Sequence, residues 1–190
     1  MVYDSRGLVT QRTSPNGLVR DRKSVLNYEY DARSRVTSIT DTLNQVMSYT
    51  YDEYGNVIET QTRSSDDSLA LQVSSVFDSR NRLIETRAPH LSGESITQRM
   101  LDNNSNLIEL IDPNGNSSFN SYDKSNRLTD NTHRLSGVTQ YQYDLLDRIT
   151  QVTAPNGVIT RYSYDALGRR TRESSADRGN LDYEYDLANN

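Results

Sequence analysis

The chain has 190 residues, a net charge of -5 at pH 7 and no cysteine. An acidic chain with dispersed basic residues has no general affinity for nucleic acid or anionic membranes, and without cysteine it forms neither disulfides nor cysteine-based zinc sites. No apolar stretch approaches the roughly 20 residues of a membrane span. Hydrophobic residues make up 33% and the mean hydropathy is -0.82, so we predict a thin fold with one moderately apolar, tyrosine-rich face and no wide core.

One sequence unit, beginning with the pair Tyr-Asp or a close variant of it, recurs along the whole chain. The last four copies begin at residues 122, 143, 164 and 185, each 21 residues after the one before. Such self-similarity is typical of stacked units that depend on their neighbours to bury apolar surface, so the sequence predicts one domain, 1–190, with about eight repeats and a truncated ninth. The copies begin at Tyr3, Tyr30, Tyr51, Phe77, Leu101, Tyr122, Tyr143, Tyr164 and Tyr185.

A turn is predicted directly after each Tyr-Asp pair. Four residues after the tyrosine position stands a Gly, Asn, Asp or Ser, residue types that tolerate positive φ or bond to their own backbone. We predict a type I turn closed by a left-handed residue, in which the Asp carboxylate accepts hydrogen bonds from backbone N–H groups two or three residues on. This turn column consists of Gly7, Ser34, Gly55, Asn81, Ser105, Asn126, Asp147 and Gly168.

Each repeat is predicted to contain an outgoing and a returning strand. Asn-Gly pairs at 16–17, 114–115 and 156–157 predict the hairpin turn between the two strands. On the returning strand, alternation places Val158, Thr160, Tyr162 and Tyr164 on one face, and tyrosines of adjacent repeats are expected in cross-strand rows. The outgoing strands start at an aliphatic column with one exception, namely Val9, Val36, Val57, Leu83, Leu107, Leu128, Ile149 and the exception Arg170.

Some repeats are longer than 21 residues, and the extra residues are expected in enlarged hairpin tips. Residues 20–23 and 63–67 are the two such tips that we predict. No segment shows the 3.6-residue apolar periodicity of a helix. The best candidate for a helix, residues 66–72, is short, and we interpret it as part of an enlarged loop.

The pattern Tyr-Asp-x-x-Gly-Arg-x-Thr, then Pro-Asn-Gly, then Tyr-x-Tyr-Asp is similar to the YD repeat of the Rhs family. It is clearest over 143–165 and 164–169, and the resemblance covers nearly the whole chain. Rhs proteins, the C components of insecticidal Tc toxins and the YD shells of teneurins wind such hairpins into a long spiralling antiparallel sheet. In bacterial members the sheet closes around a toxic C-terminal domain. The resemblance therefore implies an all-β fold: an array of antiparallel β-hairpin repeats in a curved or spiralling sheet, a segment of an Rhs-type shell.

The resemblance also implies a function and partners. We expect a non-catalytic scaffold whose partners are further YD repeats or a toxin or passenger domain, secreted or at the cell surface as part of a bacterial toxin system, although the sequence does not open on a signal peptide. Because family members are far longer, we expect a fragment or truncated reading frame that self-associates or sits in a larger assembly. The Asp-Pro-x-Gly match at 112–115 is interpreted as a hairpin turn and not as a toxin cleavage motif.

No catalytic, cofactor-binding or metal site is predicted. His90 and His133 fall in the tips of distant repeats. The recurring Asp lacks the Gly-Gly-x-Gly-x-Asp loops of calcium-binding β-rolls. The carboxylates of Asp66-Asp67, Glu53 and Glu59 come without any pattern that indicates an enclosing pocket.

A column of arginines leaves two interpretations open. These residues follow the left-handed turn residue and would form an Asp-paired rim, or together with the tyrosines a surface for acidic glycans. The alternative function is therefore a surface-exposed module that binds carbohydrate or a partner protein. The column consists of Arg35, Arg82, Arg127, Arg148 and Arg169.

Overall fold

The computed structural model describes residues 1–14, 24–90 and 93–186. Over these ranges the chain forms 17 β-strands and no helix, so the all-β prediction is confirmed. The same ranges contain no helix long and apolar enough to cross a membrane. The chain divides into two compact units, Met1–Gln98 and Arg99–Asn190, which are described separately. The predicted turn at 16–17 and the predicted tip at 20–23 lie outside the described residues.

In the first unit, each strand pairs antiparallel with the next one along the chain. The ninth strand begins in this unit and ends just beyond its boundary. The strands are β1 (Val2–Tyr3), β2 (Val9–Ser14), β3 (Ser24–Tyr30), β4 (Val36–Thr40), β5 (Val46–Tyr51), β6 (Val57–Arg63), β7 (Leu69–Phe77), β8 (Leu83–His90) and β9 (Gly93–Leu101).

The second unit repeats this arrangement, again with antiparallel pairing between consecutive strands. In both units every outgoing strand begins at the predicted column, including β16, which begins at Arg170. The strands are β10 (Leu107–Ile111), β11 (Ser117–Tyr122), β12 (Leu128–His133), β13 (Gly137–Tyr143), β14 (Ile149–Thr153), β15 (Ile159–Tyr164), β16 (Arg170–Ser175) and β17 (Gly179–Asp182).

The sheet has no hydrophobic core in the described part of the chain. The buried residues there are polar: Thr160 is 7% and Ser175 6% exposed, and the Thr160 hydroxyl donates to Ser175 Oγ at 3.2 Å. The prediction that the chain has no wide core is confirmed for the described residues. Stability must therefore come from the strand ladders, the turns and cross-strand pairs of half-buried side chains.

The strands between the tyrosines bring aliphatic residues into the predicted cross-strand rows. Tyr51 lies opposite Val57, and Tyr143 lies opposite Ile149, so aromatic and aliphatic residues alternate from strand to strand. Each of these pairs coincides with a shift of register beside the turn, the mark of a β-bulge. The alternation arises because only the returning strand of each repeat ends in tyrosine.

The prediction of an enlarged loop at 63–67 and 66–72 is wrong. Residues 64–68 form a turn of ordinary size, and β7 already begins at Leu69. The extra residues lengthen β6 and β7 to 7 and 9 residues, compared with 5 and 6 in β14 and β15. Arg63 pairs with Leu69 but Thr62 pairs with Leu71, so Ala70 is a bulged residue. The bulge accommodates the one residue by which the insertion in β7 exceeds that in β6.

Candidate functional site

The Tyr-Asp turn is held by one carboxylate. In the copy at Asp31, the backbone carbonyl of Asp31 accepts from Ser34 N–H at 3.0 Å, and Oδ1 accepts from the N–H groups of Arg33 and Arg35 at 2.8 and 3.0 Å. The acceptor role of Asp is thus confirmed, but the donors lie two and four residues on, not two or three. The left-handed column is confirmed at all eight positions, with φ between 59° and 98°.

At the opposite edge of the hairpins, several tips use the same turn, which the sequence indicated only at its Asn-Gly pairs. Oδ1 of Asp112 accepts from the N–H groups of Asn114 and Asn116, and Asp41 caps the tip at 41–45 in the same way. In the tip at 154–158, Gly157 is left-handed with φ 83°. The Asn-Gly pair therefore ends a three-residue turn with one left-handed residue, as in a type I turn followed by a bulge.

The arginine column lies between one repeat and the next. Arg148 Nε donates to Asp144 Oδ2 of its own turn at 2.6 Å, and Nη1 donates to the carbonyl of Asp165 in the next turn at 3.3 Å. Its guanidinium lies over the ring of Tyr164, 4.7 Å from the centroid. The interpretation as an Asp-paired rim is confirmed, and the ion pairs recur at Arg35, Arg82, Arg127 and Arg169.

In six repeats the tyrosine at the first position completes the link through its hydroxyl. Tyr164 donates to the carbonyl of Ile149, the first residue of the preceding outgoing strand, at 2.7 Å. We call the Asp and Arg of one repeat, together with the Tyr and Asp carbonyl of the next, the inter-repeat connector. Equivalent hydroxyl bonds of 2.7 to 3.1 Å are made by Tyr30, Tyr51, Tyr122, Tyr143 and Tyr185.

Two variations of the connector were not visible in the sequence. In the first repeat the arginine comes from the turn itself: Arg6 Nε donates to Asp4, and its Nη1 donates to the carbonyl of Asp31. In two other repeats an asparagine occupies the arginine position. Asn56 bonds Asp52 of its own turn and Asn81 of the next. Asn106 likewise bonds Asp102 and Asn126.

These contacts shift the acidity of the turn aspartates. The backbone N–H of Arg35 is the main cause that lowers the pKa of Asp31. Hydrogen bonds from the side chain and backbone of Arg82 lower the pKa of Asp78 from 3.8 to about 2. Burial alone would raise the pKa of Asp144, but the hydrogen bonds from Arg148 outweigh it and the pKa is lowered. The turn carboxylates are therefore ionised at neutral pH.

The residues considered as catalytic or metal-binding candidates lie at strand ends or in turns, or form hydrogen bonds with neighbouring residues. His90 ends β8 and His133 ends β12, and the imidazole Nδ1 of His133 accepts from the N–H of Leu135 at 3.3 Å. Asp66 accepts from Ser68, and Glu59 accepts from the amide of Gln72. Within the described residues, no group of three His, Cys, Asp or Glu side chains is placed to hold a metal ion.

The fold and the recurring connector define a class of protein: a structural repeat array in which each hairpin is fixed to its neighbour. The RHS Repeat family matches residues 3–46, 30–68, 122–159 and 143–180, which together include more than half of the chain. The chain belongs to the RHS repeat family. No curated protein sequence matches it.

Solved structures with the same fold come from Tc toxins. The Tc holotoxin pore of Photorhabdus luminescens, with a TccC3 mutation, matches with a TM-score of 0.70 at 14% identity over 92% of this chain and 11% of that chain. TcdB2-TccC3 without its hypervariable C-terminal region matches with a TM-score of 0.54 at 13% identity over 98% of this chain and 15% of that one. The chain therefore spans roughly a tenth to a seventh of those chains, and at this identity the likeness defines the fold.

Proposed function

We propose that the chain is a non-catalytic scaffold, a wall segment of an Rhs-type β-shell that encloses a toxin or another passenger domain, and that residues 1–190 form a single array. The inter-repeat connector is the observation that supports this most directly. Its Asp recurs at every repeat and its Arg and Tyr at most repeats, and these side chains are used to fix one hairpin to the next. A chain whose recurring polar side chains join neighbouring hairpins is suited to a structural role in a continuous β-sheet.

The exposed surface supports the same proposal. The chain exposes 13423 Å², whereas a compact protein of 21.6 kDa exposes roughly 9,200 Å². The difference between the two accessible surface areas is roughly 4,200 Å², which is within the range of interface area that permanent protein complexes bury. We therefore propose that further repeats, a passenger domain or another copy covers part of the sheet, in a secreted or cell-surface toxin system.

The alternative function, a surface module for acidic carbohydrate or a partner protein, would use the same arginines and tyrosines. Arg35 Nε donates to Asp31 at 2.7 Å, and its guanidinium lies 4.3 Å from the ring centroid of Tyr51. A glycan carboxylate would have to displace these contacts within the sheet. The alternative is therefore less well supported than the scaffold, and saturable binding to acidic glycans would favour it.

The scaffold proposal is tested with the complete polypeptide in which these residues occur. We expect the coding region downstream of Asn190 to encode further repeats and then a variable small domain followed by an immunity gene. In the purified polypeptide, that domain should resist trypsin, whereas the same domain expressed without the repeats should be degraded. A cell-wall anchor at that place, or equal degradation of the two forms, would contradict the shell.

A further inference from the structure

The hairpins that turn at the tip edge separate at their other end, beside the Tyr-Asp turns. In the β4–β5 hairpin the paired register runs from Thr40↔Val46 to Ser38↔Ser48 and stops there, although the strands continue to Val36 and Tyr51. The Tyr51 hydroxyl spans this gap and donates to the carbonyl of Val36 at 2.7 Å. The hydroxyl thus closes an end of the hairpin that the backbone ladder does not reach.

The β6–β7 hairpin has the same geometry but lacks the group that closes it. Its paired register stops at Glu59↔Ser74, short of Val57 and Phe77 at the strand ends. Phe77 stands in the tyrosine column and has no hydroxyl to donate to Val57. Asn56 occupies the position of the arginine column, and its side-chain amide donates to Asn81 at 3.1 Å. Asparagine has no guanidinium group that could stack on the ring of Phe77.

We propose that the Val57–Phe77 end of the β6–β7 hairpin opens more readily than the matched end of the β4–β5 hairpin, a weak point built into the sheet. The ladder continues from Glu59↔Ser74 to Arg63↔Leu69, so the rest of the hairpin keeps the opening local. Local opening of this kind is expected where few side-chain contacts close a strand end. The inference goes beyond the scaffold role, because it assigns this hairpin a behaviour that differs from that of the β4–β5 hairpin, which Tyr51 closes.

Amide hydrogen exchange in the 190-residue chain tests the proposal, read by mass spectrometry on peptides from each hairpin end. Exchange over 57–59 and 74–77 should be about fivefold to tenfold faster than over 36–38 and 48–51, the effect expected from one missing hydrogen bond. Phe77→Tyr supplies the missing hydroxyl and should slow exchange at the β6–β7 end by a similar factor. Equal exchange at the two ends in the unmodified chain would overturn the proposal.

A second variant keeps the test decisive if Phe77→Tyr fails to fold. Tyr51→Phe removes the hydroxyl from the matched hairpin and should speed exchange over 36–38 and 48–51 to the rate at the β6–β7 end. Exchange that stays slow in this variant would show that the hydroxyl does not close the hairpin, and the proposal would fall.

Discussion

The hydroxyl of Tyr164 lies 2.7 Å from the carbonyl oxygen of Ile149, and the bond joins the end of one strand to the start of the strand before it. Because the acceptor is a backbone group, the bond does not depend on the side chain at that position. Tyr185 donates to the carbonyl of Arg170 at the same distance, although Arg170 departs from the aliphatic column. The need for this hydroxyl explains why most repeats begin with tyrosine and not with another aromatic residue.

Replacing Tyr164 with Phe should lower the free energy of unfolding by about 0.5–1.5 kcal/mol, because the ring stays but one net hydrogen bond is lost. Urea unfolding followed by circular dichroism measures the change. Tyr162→Phe is the control, since in the described structure the Tyr162 ring contacts Arg170 and its hydroxyl has no role in the connector. An equal loss in both variants would contradict the role of the hydroxyl.

Replacing Arg148 with Ala should destabilise the chain, because two hydrogen bonds and the stacking over Tyr164 are lost together. The stacking alone is worth about 0.5–1 kcal/mol. Arg148→Lys keeps the positive charge, but an ammonium group cannot donate to Asp144 and to the carbonyl of Asp165 in the geometry of the guanidinium. This variant should therefore recover only part of the lost stability. Arg161→Ala, an exposed change on β15, should leave the urea midpoint near that of the unmodified chain. Equal midpoints for the two alanine variants would count against the connector.

Gly168 tests the turn column. Its φ is 82°, so Gly168→Val should cost about 1–2 kcal/mol through forced positive φ in a β-branched residue. The matched control is Gly168→Asn, since Asn81 and Asn126 occupy the same column with φ of 59° and 61°. Thermal unfolding compares the two variants. Equal melting temperatures for the Val and Asn variants would mean that the turn does not require this backbone conformation.

Acid should weaken the turns within a defined range of pH. The pKa of Asp78 is about 2 in the folded chain against an ordinary 3.8, so the folded state favours the ionised carboxylate. Its contribution to stability is fully present above pH 3.8 and is lost as the pH falls toward about 2. Unfolding free energies measured from pH 5 to 2 should decline less steeply in Asp78→Asn. Identical slopes would show that Asp78 does not contribute to the acid sensitivity.

The sheet should not remain alone in solution. With no buried hydrophobic side chain among the described residues, the half-buried faces have little opposing surface. We therefore expect the 190-residue chain to self-associate through strand edges or sheet faces, unless a larger assembly covers it. Light scattering across a concentration series measures this. A compact monomer at tens of micromolar would instead favour a self-contained binding module.

The parts of the fold that depend on neighbouring residues could be predicted from the sequence. The positive φ at Ser34 and Asn81, the start of β4 at Val36 and the pairing of Arg148 with Asp144 all lie within one turn and its flanks. Turn chemistry of this kind is local, so a repeated pattern is enough to define it.

The contacts between repeats could not be predicted in the same way. The bond from the Tyr164 hydroxyl to Ile149 depends on where two strand ends diverge, and a backbone acceptor leaves no mark in the sequence. Arg6 replaces the column arginine from another position because its long side chain reaches the same carbonyl acceptor. The sequence predicts a loop at residues 66–72 because the segment is short for a helix, whereas β-pairing with β6 decides the structure of residues 69–72.

The bulge at Ala70 makes the length of a repeat adjustable. The repeat that begins at Tyr51 gains two residues on β6 and three on β7 relative to the repeat that begins at Tyr143, and the bulge takes up the unequal residue. Pairing resumes on both sides of the bulge, and the tip at 64–68 keeps the same turn as the tip at 154–158. A family built this way can widen its sheet at a chosen repeat by insertion without redesigning the neighbouring hairpins.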